Sequence, residues 1–144
     1  MEKWTIPADF ERWEYILKNI SELLQNDGFS RSFINSLSLA ADEVFANISM
    51  YSCVDRSGEV EITFDIQNTA TEKMALMTFK DNGAPFDPLK APEPDFPDGP
   101  ASGRSPGGLG IFIIKNQVDH IDYEYTNDHN ILTLKKYQKI RGTL

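Results

Sequence analysis

Two stretches near the N-terminus carry apolar residues at the spacing of a helix. Asp9 can cap the first stretch, and the Asn-Asp-Gly sequence at residues 26–28 ends it. Ser30 can cap the second, which continues to about Tyr51. In both, apolar side chains recur every three or four residues and form one stripe. The pattern predicts two amphipathic helices, each of which needs a layer to pack against.

The period of the pattern changes to two in the middle of the chain. Apolar and polar residues alternate through residues 59–66, which predicts a half-buried strand. A turn at residues 67–71 leads into residues 73–80, which are apolar on both faces. A strand of that kind belongs nearer the centre of a sheet. The two segments therefore predict a hairpin.

A short helix and a second hairpin are predicted in the last third of the chain. Residues 109–118 are apolar enough for a buried helix, and residues 121–125 and 131–137 alternate around a turn at Asn127 and Asp128. Segregated hairpins and helices favour an α+β fold. We expect a two-layer α/β sandwich with a mostly antiparallel sheet and helices on one face.

Residues 85–106 hold seven of the eight prolines of the chain. Proline removes a backbone donor and fixes φ, so this segment forms neither a regular helix nor a ladder-forming strand. We predict a long loop here. The whole chain of 144 residues fits a single domain spanning residues 1–144.

Charge narrows the possible partners. The chain has 14 basic and 22 acidic residues, a net charge of −8, which disfavours binding to nucleic acid and to anionic membrane surfaces.

Cys53 is the only cysteine, so an internal disulfide is impossible and a reducing compartment is the natural one. Apolar runs stay far short of the ~20 residues that span a bilayer. We expect a cytoplasmic protein.

Glu43 and Asn47 lie four residues apart in the second helix and share one face. That face is turned well over a right angle from the apolar stripe, so core packing alone buries neither group. A carboxylate can take a proton from an attacking hydroxyl, and an amide oxygen can coordinate Mg²⁺. The same spacing also fits a solvated polar face.

The glycine-rich sequence GGLGIF at residues 107–112 precedes the apolar helix. Free backbone N–H groups and the helix dipole at such a start favour a phosphate, although a glycine-rich hinge fits equally well. No P-loop or Rossmann fingerprint occurs. Arg104 can bring a fork of donors to a terminal phosphate or remain solvated in the loop.

The sequence DNGAPFDP at residues 81–88 ends the central strand. Asn82 and Gly83 supply the left-handed backbone that a tight reversal needs, whereas that reversal does not require Asp81. Asp81 is therefore a candidate binding residue. His120, His129 and Cys53 have no evident catalytic or metal-binding neighbours in the sequence, and we interpret them as structural.

In order, the E-x-x-x-N helix, the D-x-G-x-x-F-D-P turn and the G-G-x-G block resemble the GHKL (Bergerat-fold) ATPases. Within that superfamily the chain looks most like the single-domain anti-sigma-factor serine/threonine kinases, over about residues 5–137. The resemblance implies a histidine kinase-like ATPase fold that binds ATP and Mg²⁺. It also implies a proline-rich ATP lid at about residues 89–106.

The resemblance implies a role for each matching residue. Glu43 matches the acid that activates the attacking group, and Asn47 matches the Mg²⁺ ligand. Asp81 matches the acceptor for the adenine amino group, and Gly83 matches the glycine that lets adenine approach. Where many relatives have a basic residue and a histidine after the asparagine, this chain has Met50 and Tyr51.

The phosphate side of the nucleotide is matched by the lid and the glycine block. Arg104 resembles the lid arginine that reaches the γ-phosphate. Gly108 and Gly110 match the glycines whose backbone wraps the phosphates, and Gly107 and Leu109 belong to the same nucleotide-binding block.

The function implied by the resemblance is partner switching. A kinase of this type binds a sigma factor, phosphorylates a small antagonist protein on serine, and commonly works as a homodimer. Two alternatives remain: an ATP-gated binding module without catalysis, and the catalytic fragment of a split histidine kinase.

Overall fold

In the described part of the chain, three α-helices cover one face of a five-stranded antiparallel sheet. The computed structural model describes residues 1–53, 58–90 and 108–140, and of Gly108 and Leu109 only the backbone. The expected lid at about residues 89–106, which includes Arg104, lies almost entirely outside the described residues. Gly107 of the glycine block also lies outside them. The α+β fold with helices on one face, predicted from the sequence, is confirmed.

Helix α1 (Phe10–Asn26) begins and ends as its sequence predicts. The Asp9 side chain accepts a hydrogen bond from the Glu11 amide at 2.9 Å and so satisfies a donor of the first turn. Gly28 ends the helix with φ of 92°, a conformation that costs glycine little. The stripe of α1 that faces the sheet is buried, as its apolar spacing requires.

Helix α2 (Arg31–Asn47) is capped by Ser30, whose hydroxyl accepts from the Phe33 amide at 3.0 Å. The chain continues from α2 into a π-helical turn, Ile48–Ser52, so the helical segment extends about as far as predicted. Such turns widen the helix locally and recur near functional sites.

The sheet is built from β1 (Glu2–Pro7), β2 (Glu59–Asn68), β3 (Glu72–Asp81), β4 (His120–Thr126) and β5 (His129–Lys139). Their order is β1-β2-β3-β5-β4, and every neighbouring pair is antiparallel. The strand that is apolar on both faces, β3, is the central one, as predicted. Asn127 and Asp128 have φ of 52° and 62°, which gives the β4–β5 hairpin the two-residue turn that matches strand twist.

Helix α3 (Gly108–Gln117) packs against α2 and contributes Ile111 and Ile114 to the same core as the sheet. At the centre of that core, the Trp13 indole stacks on Phe45 with centroids 5.1 Å apart, and its N–H donates to Asp42 at 2.7 Å. The stacked rings and the hydrogen bond tie α1 to α2. None of the helices in the described ranges combines the length and apolarity that crossing a membrane requires.

Strand β1 is the element that the sequence pattern does not predict. It pairs with β2 at the sheet edge, so that Trp4 lies opposite Ile62 and Ile6 opposite Val60. Its alternation contains only two apolar residues, too few for a periodicity signal on their own. The sheet therefore has one strand more than the two predicted hairpins supply.

The packing of β1 predicts opposite effects at adjacent positions. Ile6 is buried against the helices, whereas Thr5 is exposed on the other face. We expect Ile6→Ala to lower the free energy of unfolding by about 2 kcal/mol, and Thr5→Ala to change it little. Urea denaturation measures both, and equal losses for the two variants would contradict the assigned register.

Candidate functional site

Glu43 and Asn47 lie on the face of α2 that α3 covers. Their exposed fractions are 4% and 6%, so both are buried although they point away from the apolar stripe. The cause is Gly110: a Cβ built there would lie 3.0 Å from Glu43 Oε2 and 3.7 Å from Asn47 Oδ1. The expectation that these groups merely flank the core is therefore corrected, because the first turn of α3 closes over them.

This contact brings the predicted glycine block next to the polar face of α2. Gly108, Leu109 and Gly110 form the first turn of α3, and Gly110 is the residue that faces Glu43 and Asn47. The first four N–H groups of a helix lack intrahelical partners, and its dipole favours an anion there. The α3 N-terminus can therefore receive a phosphate beside Asn47.

Glu43 and Asn47 line two different spaces beside α2. Glu43 lines a groove of about 590 Å³ between α1 and α2, with Phe10 and Leu39 among its apolar walls. Asn47 instead lines an inner cavity together with Asp81 and Phe86. Glu43 and Asn47 thus lie between a groove open to solvent and a buried pocket.

Asn47 fits the chemistry of a Mg²⁺ ligand. Its Nδ2 atom is buried and has no hydrogen-bond partner among the described residues, so turning the amide to present its oxygen breaks no bond at Nδ2. Mg²⁺ takes hard oxygen ligands and keeps several waters beside substrate phosphates. One amide oxygen next to the N-terminus of α3 meets that need.

Asp81 lies at the end of β3 and is 2% exposed. Its Oδ1 atom accepts hydrogen bonds from the Gly83 amide at 2.9 Å and from Asn130 Nδ2 at 3.0 Å, and the Cys53 thiol donates to it from 3.9 Å. Burial raises the pKa of Asp81, and these hydrogen bonds oppose the rise. No described residue donates to Oδ2, which remains as an acceptor.

Gly83 is required by the protein backbone itself. A Cβ at this position would overlap the carbonyl of Ser52, at the end of the π-helical turn, and the Ala84 amide donates to that carbonyl at 3.0 Å. Neither Asn82 nor Gly83 has a positive φ, so the predicted left-handed reversal is wrong. Asn82 instead accepts from the Glu59 amide at 3.1 Å and fastens the start of β2.

The sequence analysis missed Asn130 and Tyr123. Asn130 is 4% exposed and hydrogen-bonds Asp81, the backbone of residues 84–86 and the Tyr123 hydroxyl. It occupies an inward position of β5, where Leu132 and Leu134 follow at period two. A polar residue in an inward register position is the signal that could have found it.

The inner cavity is nearly filled. Its volume is about 20 Å³, enough for one water molecule and too small for a purine. Phe86 stacks on Tyr51 with centroids 4.7 Å apart and forms part of its wall. Entry of a base therefore requires side chains of the cavity wall to move.

The arrangement has a counterpart among known proteins. A family model described as the histidine kinase-like ATPase domain matches residues 6–136. The chain belongs to this family. The match covers α1, α2, α3, β2, β3 and β4 completely, including the segments that bear Glu43, Asp81 and Gly110. It takes in the last two residues of β1 and most of β5.

Two relatives illustrate the family. The chain is 28% identical over 133 residues to the serine-protein kinase RsbW of Oceanobacillus iheyensis, an alignment that covers 90% of this chain and 80% of the relative. It also resembles the crystal structure of the RsbU and RsbW domains of Rv1364c from Mycobacterium tuberculosis, with a TM-score of 0.59 and 13% identity. That match covers 100% of this chain and 35% of the solved chain, and it shows the ATPase-domain fold.

The Gly83 contact predicts a loss of stability that does not depend on any ligand. Gly83→Ala forces a methyl group onto the Ser52 carbonyl and should cost about 1–3 kcal/mol of unfolding free energy. Ala84→Ser adds one atom at the exposed neighbouring position and serves as the control. Urea midpoints compare the two, and a wild-type midpoint for Gly83→Ala would contradict the close approach.

The raised pKa of Asp81 predicts a pH-dependent stability difference. Between the ordinary value of 3.8 and the raised pKa, the folded chain binds more protons than the unfolded chain. The free energy of unfolding of the wild-type protein therefore increases as the pH falls through that window. Asp81→Asn does not titrate, so it should be the more stable protein at neutral pH, with an advantage that shrinks as the pH approaches 3.8.

Chemical denaturation at several pH values measures this difference. Asp122→Asn, at an exposed position of β4, is the control for removing a carboxylate from the same sheet. An advantage of Asp81→Asn that stays constant with pH would contradict a raised pKa for Asp81.

Proposed function

We propose that this protein is an ATP-dependent protein-serine/threonine kinase that acts by partner switching in the cytoplasm. In this proposal it binds a sigma factor and phosphorylates a small antagonist protein on serine. The observation that supports it best is the packing of Gly110, in the first turn of α3, against Glu43 and Asn47. Membership of the ATPase family and the likeness to a serine-protein kinase agree with it.

Each group of the site has a task in this reaction. Asp81 accepts the hydrogen bond from the adenine amino group, with Gly83 and the turn after β3 bounding the base. Asn47 holds Mg²⁺, which supplies charge neutralisation for the phosphates when it is bound. The backbone of the glycine block, residues 107–110, binds the phosphates, and Arg104 binds the γ-phosphate.

Glu43 is the proposed base, and the groove between α1 and α2 gives a protein substrate a route to it. Phe10 and Leu39, both 44% exposed, provide apolar contact area along that groove. A serine hydroxyl that enters there meets a carboxylate next to the phosphate-binding turn of α3. Positioning and electrostatic stabilisation are the main contributions a protein makes to phosphoryl transfer, and a carboxylate adds to them by orienting the attacking hydroxyl and accepting its proton.

A binding module that uses ATP without transferring phosphate is the second candidate. Met50 and Tyr51 stand where many relatives have basic and histidine residues, and Tyr51 stacks on Phe86 instead of offering a charge. This alternative retains nucleotide binding at Asp81 and forms no phosphoprotein.

We also expect a homodimer, which sedimentation velocity measures directly.

The kinase proposal predicts that Glu43→Gln abolishes transfer but keeps ATP binding. Loss of a general base should lower the rate at least about 100-fold. Transfer is measured with labelled ATP, Mg²⁺ and an antagonist encoded near this protein's gene, and ATP binding by calorimetry. Glu14→Gln changes a second acid of the same groove and is the matched control.

The outcomes separate the candidates. Transfer that survives Glu43→Gln would exclude Glu43 as the base, and ATP binding without any phosphoprotein would favour the binding module. An acid-labile product would identify phosphohistidine and the split histidine kinase instead of phosphoserine.

A further inference from the structure

The Asn130 side chain uses its full hydrogen-bonding capacity at the end of β3. Nδ2 donates to Asp81 Oδ1 at 3.0 Å and to the Ala84 carbonyl at 2.9 Å. Oδ1 accepts from the Phe86 amide at 3.0 Å and from the Tyr123 hydroxyl. A primary amide has two donors and two acceptor sites, and all four are occupied here.

This pattern permits only one orientation of the amide. Turning it over would place its oxygen against the Asp81 carboxylate and the Ala84 carbonyl. Three hydrogen-bond acceptors would then face one another without a donor. Its NH₂ group would then face the Phe86 N–H. The Phe86 N–H can only donate and the Ala84 carbonyl can only accept, so these two groups select the observed orientation. The Tyr123 hydroxyl, from the neighbouring strand β4, adds a second donor on the oxygen side.

The orientation of Asn130 decides what Asp81 offers to the cavity. Gly83 and Asn130 both donate to Oδ1, so this oxygen is engaged within the protein. Among the described residues nothing donates to Oδ2, and Asp81 and Asn130 line the same inner cavity. The carboxylate therefore presents one acceptor to a base, which suits an exocyclic amino group and repels a carbonyl oxygen.

We propose that Asn130, held by the Phe86 amide and the Tyr123 hydroxyl, is a positioning residue that gives the pocket its selectivity for a 6-aminopurine over a 6-oxopurine. It acts through Asp81 and through the backbone of residues 84–86, without needing to touch the base. The proposal rests on the proposed function, in which this cavity binds the adenine of ATP.

Asn130→Asp tests the role with an isosteric change. It puts a second carboxylate 3.0 Å from Asp81 Oδ1, and two such groups cannot both stay ionised without strong repulsion. At neutral pH we expect Asp81 to turn away and ATP affinity to fall about tenfold, the effect of one charged hydrogen bond. The affinity for ITP, which carries a 6-oxo group, should change little, so the ratio of the ATP affinity to the ITP affinity falls.

The pH profile of the same variant separates positioning from simple structural damage. As the pH falls, the pair formed by Asp81 and the introduced carboxylate takes up a proton, the new acid donates to Asp81 as the amide did, and ATP affinity recovers relative to wild type. Other titratable groups near this pair are Cys53, Asp87, Tyr123, Tyr125 and His129. They are present in both proteins, so the variant-to-wild-type ratio at each pH isolates the pair.

Tyr123→Phe provides a second test that leaves the carboxylate environment unchanged. It removes one donor to Asn130 Oδ1 while the Phe86 amide remains, and ATP affinity should fall about threefold with a smaller ATP/ITP ratio. Tyr125→Phe, two residues away on the same strand and 41% exposed, is the control and should bind as wild type does. Urea midpoints confirm that each variant is folded.

Calorimetric titration of the full chain with ATP and with ITP in the presence of Mg²⁺ decides the matter. The proposal is supported if the wild-type protein binds ATP more tightly than ITP and if Asn130→Asp and Tyr123→Phe both lose that preference. Equal losses for ATP and ITP, or unchanged selectivity in Asn130→Asp and Tyr123→Phe, would overturn it while leaving ATP binding intact. Wild type that binds neither nucleotide would instead overturn the proposed function on which it rests.

Discussion

The contact between α3 and the polar face of α2 is the constraint on which the site depends. A carboxylate and an amide that would otherwise lie in solvent are buried because Gly110 lets the two helices approach closely. Any side chain at Gly110 would push against Glu43. Burial lowers the local dielectric, so charges and dipoles placed there act more strongly than they would at a surface.

A second meeting point joins three parts of the chain that are distant in sequence. The π-helical turn after α2 supplies the Ser52 carbonyl, β3 and the turn after it supply Asp81 and Gly83, and β5 supplies Asn130. The antiparallel pairing of β3 with β5 places Asp81 opposite Asn130. The sheet register therefore fixes the distance between these two side chains before any ligand is considered.

The sequence predicts the strongly periodic elements and much of the site. Helices α1 and α2 have long apolar stripes and caps at Asp9 and Ser30, strands β2, β4 and β5 alternate clearly, and β3 is a continuous apolar run, so local patterns determine these elements. Strand β1 is too short to show a period. The burial of Glu43, the steric need for Gly83 and the role of Asn130 all arise from contacts between distant segments, which no local pattern contains.

Two-dimensional ¹H–¹⁵N NMR during an ATP titration with Mg²⁺ tests the central claim most directly, because it reports where a nucleotide binds residue by residue. Binding between α2, α3 and the end of β3 predicts that the largest shifts fall on the backbone amides of Gly83, Phe86 and Gly110 and on the side-chain amides of Asn47 and Asn130. Shifts confined to the open face of the sheet, or no shifts at saturating ATP, would contradict a nucleotide site in this protein.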